Sequence, residues 1–330
     1  MKKQILFIIL FFTSIWAAGE DSIQKTDQGK ISARIYSNFN YGLNHANSTT
    51  AFEVTRAYFG YKRFFQQHFF AEVKLDIGSP DDISEYSLIR RYTYFKNAYA
   101  GYLSKKVIVW LGLFDMQQFK TQENFWGYRY LFKSYMDAYR FGPSADIGIG
   151  MKYDFSRLLS ADLIVSNGEG YNSPQFDNNY KTGIGLTLTP LSGMTFRSYF
   201  SVFTKENPQM TFVVFIGYQR DHFRLGGEYV LQKNYKFYRD HNRFGYSVYS
   251  TLILNNKWEA FARYDQVYSN TLPENPIPWN LADDGSAIIA GVQYTPVEQI
   301  HVALNYQDWV EYARNGIFEP YIYLNFEINF

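Results

Sequence analysis

From residue 30 to residue 330 the chain keeps one rhythm: runs of about ten residues with alternating apolar and polar side chains, separated by turn-forming residues. Period-two alternation places successive side chains on opposite faces of a strand. The pattern predicts strands at 30–41, 51–63, 68–78, 92–103, 107–115, 144–155, 159–167 and 181–189. It continues with 194–204, 210–220, 223–232, 243–254, 257–268, 285–295, 299–309 and 318–330. That is sixteen, and the connections alternate in length. Links after odd-numbered strands are long (42–50, 79–91, 116–143, 168–180, 205–209, 233–242, 269–284 and 310–317), whereas the others are brief turns. Nine of the ten prolines fall in links, as expected of a residue that has no N–H to give a ladder; Pro320 sits at the outer end of the last strand. An even strand count with short turns at one end and longer loops at the other predicts an all-β fold, a transmembrane antiparallel up-and-down β-barrel.

Composition narrows the class. Aromatic residues make up 20% of the chain and charged residues 19%, yet the mean hydropathy is only −0.31. So much ring surface excludes a disordered chain. The lack of repeated apolar spans of about 20 residues excludes a helical membrane protein. With no cysteine there are no disulfides, thiolate metal sites or cysteine nucleophiles. Met1-Lys2-Lys3, the apolar run Ile5 to Phe12 and the small residues Ala17-Ala18-Gly19 read as a cleavable signal peptide over 1–19, followed by a polar periplasmic leader over 20–29 and the barrel over 30–330. Loss of Lys2 and Lys3 leaves 30 basic against 31 acidic residues, a net charge of −1. A chain so near neutrality carries no footprint for nucleic acid. Export and the strand pattern together place it in the outer membrane of a Gram-negative bacterium, surrounded by outer-membrane lipid.

Register assigns the charges to one face. Apolar Ile31, Ala33 and Ile35 turn Arg34 inward, and the same logic places Arg56, Glu72, Lys74 and Asp76 inside on the next two strands. Asp146, Lys152, Asp154 and Asp162 follow on strands 6 and 7, then Arg197, Arg224, Glu228, Glu259, Arg263 and Asp265 further along. Strands 4, 5 and 10 are apolar or ambiguous on both faces, so their register stays open. Arg or Lys on the lipid face near the midplane costs about 2–4 kcal/mol, which makes the one-sided distribution informative. A sixteen-stranded barrel is too wide for wall side chains to fill and leaves an aqueous channel unless a loop folds in. The candidate constriction is link 116–143. It combines many rings with Lys120, Glu123, Arg129, Lys133, Asp137 and Arg140, and so aromatic a loop favours folding against the wall. In the last strand, Ile322, Leu324, Phe326, Ile328 and Phe330 face lipid, and Asn325, Glu327 and Asn329 face the lumen. A terminal Phe so placed resembles the signal read by the outer-membrane assembly machinery.

Several segments resemble the Gram-negative porin family that includes the phosphate-selective porins O and P. They are Phe52 to Gly60, Ala71 to Asp76, Asn97 to Tyr102, Val109 to Phe114, Phe141 to Gly148 and Ala262 to Asp265. The resemblance implies a sixteen-stranded, water-filled channel, usually a homotrimer. Phe114 to Phe119 lacks the proline that family members often carry on the way into the constriction loop. Phosphate selectivity needs converging Arg and Lys donors; Arg34, Arg56, Lys74, Arg197, Arg224 and Arg263 furnish candidates, but the acidic residues named above share the wall. Two function classes follow: passive diffusion of small hydrophilic solutes or anions, or a closed barrel whose outer loops, notably 269–284, bind a surface partner or saccharide. Catalysis has little support, because none of the five His (45, 68, 222, 241 and 301) belongs to a nucleophile or zinc motif. No cofactor or metal is expected, although Asn280, Asp283 and Asp284 are oxygen donors of the kind Ca²⁺ takes.

Overall fold

The computed structural model describes residues 29–44, 50–78, 93–270, 272, 284–311 and 320–330. The segments read as signal peptide and leader, most of loop 269–284, His45, Asn280 and Asp283 lie outside these, apart from Gly29, which opens the first strand.

The strands are β1 (Gly29–Gly42), β2 (Thr50–Phe65), β3 (Phe69–Ile77), β4 (Thr93–Leu103), β5 (Val107–Asp115), β6 (Ala145–Asp154), β7 (Leu159–Ser166) and β8 (Lys181–Leu188). They continue with β9 (Met194–Phe203), β10 (Gln209–Arg220), β11 (Phe223–Lys233), β12 (Arg243–Ile253), β13 (Trp258–Ser269), β14 (Gly285–Val297), β15 (Ile300–Glu311) and β16 (Tyr321–Asn329). Each pairs antiparallel with its neighbours in sequence, and β1 pairs with β16, so the sheet closes. No helix of the described residues is long and apolar enough to cross a membrane. The described part of the last strand begins at Tyr321, and residues 318 and 319 of the expected strand lie outside the described residues. β14 runs on through Pro296 to Val297, where the pairing with β15 slips between Tyr294 and Val297, a place where a missing N–H does least harm.

The alternation is inverted relative to a water-soluble protein. On β8, Ile184, Leu186 and Leu188 are exposed outward while Lys181 is buried inward; on β12, Val248 and Leu252 are exposed and Arg243 and Ser247 are buried. Only an apolar exterior solvent accommodates that arrangement. Rings pair across strands near the short-turn end, as in Phe69–Tyr102, Tyr218–Phe223 and Trp258–Tyr294 with centroids 5.5, 5.5 and 4.7 Å apart.

The strands whose register the sequence leaves open each have a local cause. Between β3 and β4 the pairing shifts at Lys74/Leu75 and skips Lys96, so consecutive Lys96 and Asn97 are both buried. Such a bulge breaks simple alternation. On β5, Trp110 and Phe114 turn inward and stack at 5.9 Å, giving the inner face an apolar look. On β10, Val213 and Phe215 are buried inside although Phe212, Val214 and Ile216 already form the outer apolar face.

Candidate functional site: a half-filled barrel

The link between β5 and β6 carries helix α1 (Lys120–Trp126) and the short helix α2 (Tyr135–Ala138). Gly127 ends α1 in the left-handed region at φ 76°, where glycine has no Cβ penalty, and its N–H bonds the Glu123 carbonyl. Trp126, Tyr128, Tyr130 and Leu131 pack on the inward residues Tyr36, Phe215, Tyr249, Phe261, Ile289 and Ala303. Phe119, Tyr135, Met136, Tyr139 and Phe141 pack on Tyr199, Val213, Val230 and Val267. The segment therefore lines the inner wall from β9 round to β1, and its rings account for the apolar inward positions there.

Backbone carbonyls taken out of water need donors. Arg197 donates to Gln117 O at 2.9 Å, Arg224 to Trp126 O at 3.3 Å, Arg263 to Lys133 O at 2.8 Å, and Arg243 to Tyr139 O. Tyr249 and Gln232 reach the Gln122 and Phe141 carbonyls. In return, the hydroxyls of Tyr128 and Tyr139 donate to Glu259 at 2.6 Å and to Asp265 at 2.9 Å.

Opposite this filled half a cavity of about 580 Å³ remains. Its lining includes Lys30 and Gln299 at the short-turn end and Asp115 and Ser144 at the long-loop end, so it runs the height of the wall. Arg34, Lys74, Lys96 and Asn97 contribute from the wall, and Lys120, Glu123, Asn124 and Arg129 from the α1 side. Cations outnumber carboxylates along it, six (Lys30, Arg34, Lys74, Lys96, Lys120, Arg129) against two (Asp115, Glu123). Both carboxylates are engaged: Lys120 holds Asp115 at 3.1 Å and Glu123 at 3.0 Å, and Arg129 lies 2.6 Å from Glu123 and 2.6 Å from Asp137. Lys96, which bonds Ser144 and sits 4.3 Å from the Tyr171 ring centre, has no carboxylate within ion-pair distance among the described residues.

The residues singled out from sequence thus fall into two groups. Arg34, Lys74, Lys120, Glu123 and Arg129 border the cavity. Glu72 bonds Lys74 and Lys62 beside it, and Arg56 bonds Asp76 at 3.3 Å. Arg197, Arg263, Asp265 and Glu228 are instead buried, and Arg224 and Glu259 meet the inserted segment. The difference from an open-lumen expectation has one cause: the link covers that half of the wall. Lys133, Asp137 and Arg140 do not line the cavity. Lys30, Lys96 and Asp115 were not among the candidates. Lys96 is hidden from period-two reasoning by its bulge, and Lys30 and Asp115 lie at strand ends.

At the long-loop end, Lys205 bonds Asp177 at 3.0 Å and Glu169 at 3.4 Å. The Asn179 backbone N–H, with Lys205, lowers the Asp177 pKa; some burial opposes the Lys205 charge, but Asp177 and Glu169 outweigh it and raise its pKa. Asp284 accepts from the Ser269 N–H and hydroxyl, closing the end of β13. His301 contacts Thr295 at 3.1 Å, and His68 contacts the Leu103 carbonyl at 2.9 Å.

Solved structures share this architecture. The chain aligns with Salmonella typhi OmpF in complex with daunomycin at a TM-score of 0.70 and 13% identity, over 92% of this chain and 98% of that one. What is shared is the fold, a closed sixteen-stranded antiparallel β-barrel. The same fold occurs in the outer membrane channel DcaP of Acinetobacter baumannii (TM-score 0.68, 10% identity, 95% and 100% covered). It is shared too with the anion-selective porin from Comamonas acidovorans (TM-score 0.68, 11% identity, 92% and 100% covered). No family model matches the chain, and no curated protein matches it.

Proposed function

We propose that this chain is an outer-membrane porin: a water-filled channel for passive diffusion of small hydrophilic solutes or ions, with a preference for anions. The observation that carries the reading is the cavity that runs from Lys30 to Ser144 between the inserted segment and the β1–β5 wall. Arg34, Lys74 and Arg129 are ion-paired with Glu327, Glu72 and Asp137 beside the lining, so support for anion preference rests on Lys96, which has no carboxylate within ion-pair distance among the described residues, and on the cation-rich lining as a whole. Solutes pass without covalent chemistry. Likeness to channels of Gram-negative outer membranes supports the localisation, and on the same reading residues 1–19 are removed on export, Phe330 is read during assembly, and three copies associate. Phosphate is the finer proposal within the anion class, supported by the sequence resemblance and by the convergence of Lys74, Lys96, Lys120 and Arg129.

The test is single-channel recording of the refolded chain in a planar bilayer with a KCl gradient. Stepwise openings with a reversal potential of the sign set by chloride are expected. Silence from a barrel shown to be folded by heat-dependent gel mobility would overturn the channel reading, and a cation-signed potential would overturn the preference.

A further inference from the structure

We propose that Arg197, Arg224, Arg243 and Arg263 are positioning residues that hold the β5–β6 segment by its main chain, and so set the width of the passage without contributing to its charge. The proposal rests on the channel reading for its conductance readout, but its structural half stands apart from it.

Four strands, β9, β11, β12 and β13, each supply one arginine, and all four donate to backbone carbonyls of the same inserted segment. The captured carbonyls are spaced along it, at Gln117 before α1, at Trp126 where α1 ends, at Lys133 before α2 and at Tyr139 after it. Trp126 and Tyr139 stand at helix C-terminal ends, where carbonyls have no intrahelical partner, and Gln117 and Lys133 lie outside the helices altogether. Arg224 at the end of α1 also places a cation where the helix dipole is negative. A guanidinium suits the task because its fixed fork bonds in two directions at once. Arg197 and Arg263 use the rest of the fork on Asp162 and Asp265, both at 2.7 Å. Arg224 and Arg243 rest instead on rings, Arg224 at 5.3 Å from Tyr128 and Arg243 at 4.6 and 4.9 Å from Phe141 and Tyr235. None of the four borders the cavity. Arg197 and Arg263 are matched by carboxylates, while Arg224 and Arg243 keep their charge but are set back on the wall that the inserted segment covers, outside the cavity lining.

Capture through carbonyls rather than side chains separates two roles. The four captured carbonyls hold the segment at points that do not depend on which side chains face the cavity, although Lys120 adds a tie of its own to Asp115 on β5.

Because the chain has no cysteine, a single N124C substitution accepts a nitroxide at the cavity side of α1. The full-length refolded protein is compared with R224Q, R243Q and the pair R263Q/D265N, the last chosen so that the Asp265 carboxylate is not stranded. R224Q leaves no unpaired carboxylate behind, so it keeps the test available if the pair variant does not fold. Loss of one charge-assisted bond raises the released-loop population about ten- to a hundredfold, seen as a mobile component in the nitroxide spectrum and as increased open-channel noise, with an unchanged reversal potential. An unchanged, immobilised spectrum in every folded variant would overturn the proposal. So would a shift in reversal potential as large as that of a cavity-lining substitution. A mobile spectrum without conductance in any variant, parent included, would refute the channel reading while leaving the clamp intact.

Discussion

Lys120→Gln tests the electrostatics of the passage most directly. Lys120 projects from α1 into the cavity and neutralises Asp115 and Glu123. The cavity holds about 580 Å³; spread along the nine residues of β5, about 30 Å at about 3.3 Å per residue, this gives a mean cross-section of about 19 Å². An ion confined to so narrow a path passes at about 6 Å from the ammonium. In water-like surroundings one unit charge at that distance contributes about 0.7 kcal/mol, and a Debye length of about 10 Å at 0.1 M salt reduces it to about 0.4 kcal/mol. The substitution disfavours the anion and favours the cation by that amount each, so the anion-to-cation permeability ratio falls about fourfold at 0.1 M. At 1 M, where the Debye length is about 3 Å, the change shrinks to about 1.4-fold. Reversal potentials in potassium chloride gradients at the two ionic strengths measure both numbers. No change at low salt would refute the placement of Lys120 on the ion path, and an equal change at both would refute the screened-charge argument.

Val214→Arg puts a cation at the centre of the outer face of β10 and should destabilise the barrel by about 2–4 kcal/mol in urea titrations of vesicle-embedded protein; a neutral result would mean that this face does not meet hydrocarbon. Arg197→Met strands the buried Asp162 carboxylate and should cost about 3–5 kcal/mol, largely recovered by adding Asp162→Leu; recovery would be absent if the pair itself were net stabilising. Gly193→Ala should cost more than about 1–2 kcal/mol, because Gly193 has φ 83° and a Cβ there would lie 2.0 Å from the Gln219 carbonyl oxygen; a wild-type unfolding midpoint would contradict the turn geometry. Asp177 has a lowered pKa in the folded loop, so its bonds to Asn179 and Lys205 contribute fully above the ordinary carboxylate range and are lost as pH falls through the depressed value. Amide exchange at Asn179 should therefore accelerate, relative to neighbouring amides, only in acid, and Asp177→Asn should remove that pH dependence.

Most of the ring was legible because nearly every strand obeys the same two-sided rule. β8 and β12 alternate so regularly that their inward and outward sets follow from the letters alone. β10 did not, since Val213 and Phe215 face rings of the inserted segment rather than water, and a strand apolar on both faces has no preferred phase. β4 was obscured by one extra residue, Lys96, in its ladder. The same physics divided the site. Sequence places Arg34 and Arg263 on equivalent inward positions, but only the three-dimensional path of residues 116–144 decides that one meets the cavity and the other is sealed behind Trp126 and Phe132, at 4.8 and 5.3 Å. The helices α1 and α2 carry no strong sequence signal: each is under eight residues and lacks a side-chain cap bond.

The closing seam has a consequence for how such a chain becomes a barrel. Ala33 and Phe330 exchange backbone hydrogen bonds at 2.6 and 3.0 Å, joining opposite extremes of the described chain. Fifteen hairpin-like pairings form between neighbours in sequence, but this sixteenth must wait for residues 321–330 and bears the largest loop-closure entropy of all. Until it forms, both β1 and β16 present unsatisfied edges that hydrocarbon does not tolerate. Synthesis and completion are therefore separate events: a chain shortened by its last ten residues is not a slightly smaller barrel but an open sheet with two sticky borders, fit for a chaperone or a protease.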